Sequence, residues 1–194
     1  MLQYLVLVGA IVLLIGSSFY IKETISGRTK PNRMTWFLWS LAPMIGAVAA
    51  FSNGVTWAAL PVFFAGFIPF LIFIASFVNK QSYWRLGIFD YFCGFFSLLA
   101  LTLWAITKEP VVAIVFAIIS DAFAAIPTVK KAWQHPETET AAPFIAAIFN
   151  TSTAFLAIKS WSFSAYAFPF YLICLEVLMV VAIVRPRIKF GKSL

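Results

Sequence analysis

The chain has 194 residues, of which 62% are hydrophobic and 11% are charged. Its mean hydropathy of +0.95 is more than a water-soluble core of this size needs, which argues against a soluble enzyme and favours one domain embedded in a lipid bilayer. The net charge of +7 also suits nucleic-acid binding, so the distribution of Lys and Arg along the chain decides between the two.

Seven apolar runs are long enough to cross a bilayer, since a helical span needs about 20 residues. The predicted spans cover residues 2–20, 35–52, 55–78, 86–106, 110–128, 141–159 and 163–184. The first run is interpreted as a true span, because no basic residue precedes it and no Ala-x-Ala site closes it. The predicted fold is therefore all-α, with seven transmembrane helices.

Tight links join the spans on one side, and longer charged links join them on the other. With the N-terminus outside, the outer links hold two basic residues, Lys108 and Lys159. The inner segments hold the rest: Lys22, Arg28, Lys30, Arg33, Lys80, Arg85, Lys130, Lys131, Arg185, Arg187, Lys189 and Lys192. The positive-inside rule therefore predicts an outer N-terminus and a cytosolic C-terminus, and it explains the basic charge without nucleic acid.

Two inner loops look related, since segments 20–36 and 127–143 each run into an apolar helix. Aligned in this way, Pro43 falls opposite Asn150. Helices 1 to 3 then match helices 5 to 7 in the same orientation, and helix 4 becomes the linker that parallel repeats of odd helix number require. The chain is predicted to be one membrane domain, 1–194, made of a repeat at 1–80, a linker at 81–108, a second repeat at 109–187 and a cytosolic tail at 188–194.

This 3+1+3 layout resembles the SWEET and PQ-loop (MtN3-like) superfamily, whose seven-helix members join two three-helix bundles through a linker helix. The family's Pro-Gln dipeptide ends the first helix of a bundle. Ile126-Pro127-Thr128 stands there in the second repeat, so the Pro matches and the Gln does not. In the first repeat Tyr20-Ile21 replaces the pair. The resemblance implies the paired-bundle layout, and the sugar specificity of SWEETs is not carried over.

Three acids fall within predicted spans, where a charge costs about 3 kcal/mol and usually faces a cavity or a partner. Asp121 lies near the middle of helix 5, Glu176 near the middle of helix 7, and Asp90 about one turn from the inner end of helix 4. No Lys or Arg lies at matching depth. Asp121 and Glu176 are predicted to bind a cation or exchange protons, and Asp90 is either a secondary acid or a structural group near the interface.

Helices 5 and 6 each carry a stripe of small and polar residues at helical spacing. Asn150 lies near the midplane in the helix 6 stripe, where its amide can donate and accept, and it is predicted to orient a solute. Alternatively, Asp121 and Asn150 form hydrogen bonds across the bundle that serve only as packing contacts. The stripes are Ala117, Asp121, Ala124 and Thr128, and Ala142, Ala146, Asn150, Thr153 and Ala157.

Helix 2 places Trp36, Trp39 and Pro43 on one face. The two indole rings suit stacking on a solute or attraction of a cation. Interface anchoring is the alternative, because both lie near the inner boundary. Pro43, Pro127 and Pro169 each remove a helical hydrogen bond and are predicted to act as conformational hinges.

Patterns for catalysis or metal binding are largely absent from the sequence. There is no Gly-rich phosphate loop and no HExxH, and the one His, His135, shares an inner loop with Glu137 and Glu139 that is interpreted as solvated. Cys93 and Cys174 fall in predicted spans and are expected to pack as small hydrophobic residues. No cofactor, metal site or enzymatic activity is predicted.

These features predict a multi-pass transporter for a small polar or cationic solute. Its predicted location is a bacterial-type plasma membrane, that is, the bacterial inner membrane. Its site would lie at the midplane between two three-helix bundles. The alternative is a receptor or accessory subunit of the same architecture that binds without net transport. An intramembrane enzyme that uses Asp90 and Asp121 is a third hypothesis, although their spacing does not require it. The sequence leaves open whether two copies form a homodimer.

Overall fold

The computed structural model of the protein describes residues 2–52, 60–82, 84–107, 109–156 and 161–190. These residues are all-helical and contain no strand. The helices are α1 (Leu2–Ile25), α2 (Arg33–Ser52), α3 (Leu60–Ala75), α4 (Ile88–Ile106), α5 (Pro110–Gln134), α6 (Ala142–Leu156) and α7 (Phe163–Phe190), with a short 3-10 helix (Pro136–Thr138) before α6. The prediction of seven helices is confirmed. Parts of the predicted spans at 55–59 and 157–159, the outer residues Lys108 and Lys159, and the tail from 191 lie outside the described residues.

Three of the described helices are long and apolar enough to cross a membrane, over Leu7–Ile25, Ile88–Ile106 and Ala165–Arg185. A shorter apolar helix runs over Phe63–Ala75. These helices are compatible with a membrane location, because about 20 apolar residues match the hydrocarbon thickness of a bilayer. Crossing by all seven helices stays a prediction.

Local hydrogen bonds determine where α1 ends and where α2 begins. After α1, Gly27 has a φ of +85°, a left-handed conformation that favours glycine, and its N–H donates to the Thr24 carbonyl at 3.1 Å. Just before α2, Asn32 Oδ1 accepts the backbone N–H groups of Met34 and Thr35 at 3.1 and 3.3 Å. The link between α1 and α2 is therefore held by its own backbone hydrogen bonds and caps.

The segments that carry the predicted inner charges meet at one end of the helix bundle, which we call the basic end. The Asn79 amide donates to the last carbonyl of α1 at 3.0 Å. The Lys30 N–H donates to the Thr138 carbonyl at 2.9 Å, which joins the α1–α2 and α5–α6 links. Arg185 of α7 donates to a carbonyl in the last turn of α5 at 2.6 Å. Hydrogen bonds therefore tie four charged segments together.

The helix contacts place α1 against α6 and α3, and α2 against α3, α4 and α5. Helix α4 also contacts α5, and α7 contacts both α5 and α6. Glycines bring α1 and α6 unusually close, because a Cβ atom on Gly9 would overlap Thr153 and one on Gly16 would overlap Ala146. The helix 6 stripe of small residues is therefore a surface for close approach to α1.

A hydrophobic cluster fills the basic end of the bundle. Its members are Tyr20, Trp36, Ile68, Ile72, Ala132, Phe144, Met179, Ala182 and Ile183. Most of them lie in the half of their helix that is nearest the charged links. The cavity described below adjoins this cluster and shares Trp36, Ile68 and Phe144 with it.

Candidate functional site

One cavity of about 220 Å³ lies between α1, α2, α3, α5, α6 and α7. The predicted site residues that line it come from four of these helices: Trp36, Trp39, Pro43, Asp121, Asn150 and Glu176. The structure thus brings all five predicted solute-binding residues to one place, together with one of the three predicted hinges. Whether they bind a solute stays a prediction.

The two cavity acids differ in how their oxygens are bonded. Asp121 Oδ2 accepts the Tyr171 hydroxyl at 2.8 Å. Glu176 Oε1 accepts the Thr151 hydroxyl at 3.1 Å, and Glu176 Oε2 is buried without a hydrogen-bond partner among the described residues. The two carboxyl groups are close enough to interact electrostatically. Neither forms an ion pair with a described residue.

Asn150 stands where the cavity meets the contact between α1 and α6. A Cβ atom on Gly9 would come within 2.9 Å of its Oδ1. Asp121 accepts the Tyr171 hydroxyl of α7, which is a hydrogen bond across the bundle of the kind that the packing interpretation expects. The Thr153 hydroxyl, one turn along α6, donates to the Asn150 carbonyl at 2.7 Å, a hydrogen bond within α6.

Aromatic rings form the basic-end wall of the cavity. Trp36 is 4% exposed, and its ring lies 5.0 Å from Tyr20 and 5.2 Å from Trp39, the latter in an edge contact at 88°. Phe144 packs against both indoles at 6.3 and 6.5 Å. Because Trp36 is buried in this cluster, interface anchoring does not explain its position.

Four polar atoms of the cavity lining are buried without a hydrogen-bond partner among the described residues: Ser17 Oγ, Trp36 Nε1, Trp39 Nε1 and Glu176 Oε2. The Trp36 side chain also interacts electrostatically with Tyr20. Buried polar groups in native proteins are nearly always hydrogen-bonded, to protein, water or ligand. These hydroxyl, indole and carboxylate groups therefore leave unused hydrogen-bonding capacity in one cavity.

A buried polar lock lies on the basic side of the aromatic wall and consists of Tyr20, Lys131 and Glu139. The Tyr20 hydroxyl donates to Glu139 Oε2 at 2.7 Å, and the Lys131 ammonium lies 2.5 Å from Glu139 Oε1. Glu139 is 3% exposed, so the interpretation of its loop as solvated is wrong for this residue. The interpretation holds for His135 and Glu137, whose side chains are 51% and 68% exposed.

Lys131 completes the lock by contacting both the α1–α2 link and the α5–α6 link. Its ammonium also donates to the Lys30 carbonyl and lies 5.3 Å from the Trp84 ring. Burial lowers the pKa of Lys131, and the neighbouring Glu139 carboxylate opposes that shift by favouring the charged form. The lock therefore spans α1, α5 and the α5–α6 link.

Asp90 lies outside the cavity lining, in the first turn of α4. Its Oδ2 accepts the Gly87 N–H at 2.7 Å and its Oδ1 accepts the Asn32 amide at 2.6 Å. An acid at a helix N-terminus also interacts favourably with the helix dipole. Asp90 was interpreted above as either a secondary acid or a structural group, and this position agrees with the structural group.

The remaining two predicted hinges do not line the cavity. Pro127 lies inside α5 and Pro169 inside α7, and both helices continue through them. Pro127 follows Asp121 by six residues, and Pro169 precedes Tyr171 by two. Each proline leaves a carbonyl one turn earlier without its helical donor, so local bending near these residues is less costly.

Several residues of the site carried no signal in the sequence. Ser17, Thr151, Tyr171, Tyr20 and Lys131 belong to residue types that are common in membrane helices and at their ends. Thr151 adjoins Asn150, but one residue turns a helix by about 100°, so the two side chains face different neighbours. Among the described residues, no group of three or more His, Cys, Asp or Glu side chains is placed to hold a metal ion.

Comparison with known proteins adds no relative: no protein-family model, no curated protein and no solved structure matches this chain. The site is therefore interpreted from its own geometry.

Proposed function

We propose that this chain is a multi-pass membrane transporter for a small solute, which binds in the cavity between two three-helix bundles. One observation carries the proposal. The cavity collects two acids, an amide and two indoles from four helices, and a buried ion pair lies between it and the charged end of the molecule. A pocket with a few convergent polar groups in a largely apolar wall is typical of small-molecule sites.

A bilayer as solvent is supported by the surface as well as by the three long apolar helices. Large hydrophobic side chains are exposed on every one of the seven helices, among them Ile11, Phe95 and Phe149. The buried residues include Lys131 and Glu176. Apolar side chains exposed on every helix, together with buried charged residues, are stable where lipid contacts the outside. The clustering of basic residues at one end supports an inner, cytosolic position for that end in a bacterial-type plasma membrane.

The 3+1+3 layout is supported by which helices touch. Helix α3 contacts both α1 and α2, and α7 contacts both α5 and α6. Between the group α1–α3 and the group α5–α7, the contacts are α1 with α6 and α2 with α5. A two-fold rotation that relates α1 to α5 and α2 to α6 converts each of these contacts into the other. Helix α4 contacts one helix of each group, α2 and α5. This pattern favours two repeats, 1–80 and 109–187, and the layout that the resemblance to SWEET and PQ-loop proteins implies.

Alternating access would require the basic end to open. The lock ties Tyr20 in the first group to Lys131 and Glu139 in the second, and the aromatic wall lies directly behind it. Separation of these groups would connect the cavity to the cytosolic side. In this proposal the lock and the wall close that end, and bending near Pro43 and Pro127 would accompany the motion.

Solute flux in liposomes tests this function. Purified full-length protein is reconstituted and assayed for uptake of a panel of small polar and cationic solutes, and in parallel for proton flux. We expect Asp121→Asn to lower flux by at least about tenfold, because removal of a buried charged group changes the free energy of binding by more than 1.4 kcal/mol. The matched control is Glu137→Gln in the exposed loop, which should keep the flux of the unmodified protein.

Two results would count against the proposal. Unchanged flux in Asp121→Asn would remove this acid from the mechanism. Solute binding without any flux, together with a stable protein partner in native pull-downs, would favour a receptor or accessory subunit instead.

A further inference from the structure

The charges in the cavity lining are all acidic. Among the described residues of the lining, the ionisable ones are the two acids Asp121 and Glu176, and no Lys, Arg or His is present. Lys131, on the basic side of the aromatic wall, pairs with Glu139 in the lock. The cavity therefore favours a cationic occupant over an anionic one.

Glu176 has a vacant position for a hydrogen-bond donor. The residue is 8% exposed, and its Oε2 is buried without a hydrogen-bond partner in the part of the chain that the structure describes, while Oε1 accepts the Thr151 hydroxyl. An ionised carboxylate in this position needs a positive partner, since burying an unpaired charge is costly. A ligand that supplies a charged N–H donor to Oε2 meets both needs with one contact.

The same cavity offers aromatic faces to a cation. Trp36 and Trp39 line it in an edge-to-face pair, with Phe144 beside both. Ammonium groups are attracted to aromatic faces, most strongly to Trp, and the attraction grows when water is excluded. The rest of the lining is mainly apolar, with residues such as Leu13, Ile68 and Leu172.

A bare metal ion fits this cavity less well than an organic cation. Hard cations such as Ca²⁺ take six to eight oxygen ligands, and among the described residues no group of three metal-binding side chains is present. The aromatic and apolar wall needs an apolar body to fill it. We propose, on the basis of the transport function above, that the solute is a small organic ammonium compound whose charged nitrogen binds Glu176 Oε2 and whose apolar part packs against Trp36 and Trp39.

A matched pair of probes tests this proposal. Benzylammonium and benzyl alcohol have similar size and shape but differ in charge, and binding of each to purified full-length protein in nanodiscs is measured by calorimetry and Trp fluorescence. We expect benzylammonium to bind at least about tenfold more tightly, a difference of about 1.4 kcal/mol that one charge-assisted hydrogen bond supplies. Glu176→Gln should remove this preference, and Glu137→Gln in the exposed loop should keep it.

A conservative variant separates charge from folding. Glu176→Asp keeps the carboxylate, so it should retain preference for benzylammonium, with folding of each variant checked by size-exclusion chromatography. Equal binding of the two probes, no binding of benzylammonium, or a preference that survives in folded Glu176→Gln would each overturn the proposal.

The binding and flux assays fail independently. Charge-selective binding without flux would leave the ammonium site standing and remove the transport function. Flux of neutral solutes by a protein that does not bind benzylammonium would do the reverse.

Discussion

Two buried acids, Glu139 in the lock and Glu176 in the cavity, are partnered very differently. Glu139 has a partner on each oxygen, the Lys131 ammonium at 2.5 Å and the Tyr20 hydroxyl at 2.7 Å. Glu176 has the Thr151 hydroxyl on one oxygen, and no described residue is a partner to the other. Both residues are less than one-tenth exposed, at 3% and 8%, so burial alone does not separate them.

The difference assigns the two regions different work. A buried charge whose partners are all present ties structural elements together. Removal of one partner of such a pair leaves the other charge unpaired in an apolar interior. A buried charge with a free oxygen retains the capacity to bind. The lock is thus expected to control stability and closure, and the cavity to control ligand binding.

The largest expected effect breaks the lock at its cation. Lys131→Met leaves Glu139 buried without a counter-ion, which should lower the free energy of unfolding by about 3–5 kcal/mol. Thermal unfolding in detergent should show a Tm lower by about 10 °C. The control is Lys130→Met, because Lys130 is exposed on the same helix and its replacement should change stability by about 0.5 kcal/mol or less. Equal losses in the two variants would show that the lock adds nothing.

A smaller effect is expected at the hydroxyl of the lock. Tyr20→Phe keeps the buried ring but removes its hydrogen bond to Glu139, which should cost about 1.5–3 kcal/mol because the acceptor is charged. Tyr166→Phe, on an exposed ring of α7, is the matched control and should be neutral. A double-mutant cycle with Lys131→Met measures the coupling, and strict additivity of the two losses would contradict a shared lock.

The smallest effect is expected in the cavity. Ser17→Ala removes a buried hydroxyl that has no partner, so stability should change by about 0.5 kcal/mol or less, or increase slightly. Thr35→Val is the contrast, because that hydroxyl donates to the Ala124 carbonyl at 2.7 Å and accepts from Thr128 at 2.9 Å. Its loss should cost about 1–3 kcal/mol. If thermal unfolding shows equal losses of stability for Ser17→Ala and Thr35→Val, the Ser17 hydroxyl is hydrogen-bonded in the protein.

Helix positions were predictable from the sequence, and helix lengths were less so. The predicted spans 2–20 and 110–128 continue as helix to Ile25 and Gln134. Hydropathy detects the apolar part of a helix, whereas the backbone hydrogen bonds continue through polar turns until a residue stops them. In α1 the stop is Gly27, and after α5 it is Pro136.

The cavity acids were predictable because a carboxyl within an apolar span is costly wherever it occurs. That cost alone identifies Asp121 and Glu176 in the sequence. Their partners were not predictable, because Tyr171 and Thr151 are ordinary residues until the fold places them against a carboxyl. Glu139 was misinterpreted for a related reason: a loop acid is usually solvated, and only its contacts show that this one is buried.

The sequence by itself determined that the chain folds into seven helices, that its basic residues fall in alternate links, and that two acids lie deep in apolar segments without basic residues at their depth. Those properties depend on composition and spacing along the chain. Only the tertiary structure decided which acid is neutralised and which keeps a free oxygen. The physical reason is distance along the chain: Tyr20 and Glu139 are 119 residues apart, and hydrogen bonds between such residues are set by packing of helices and not by local pattern.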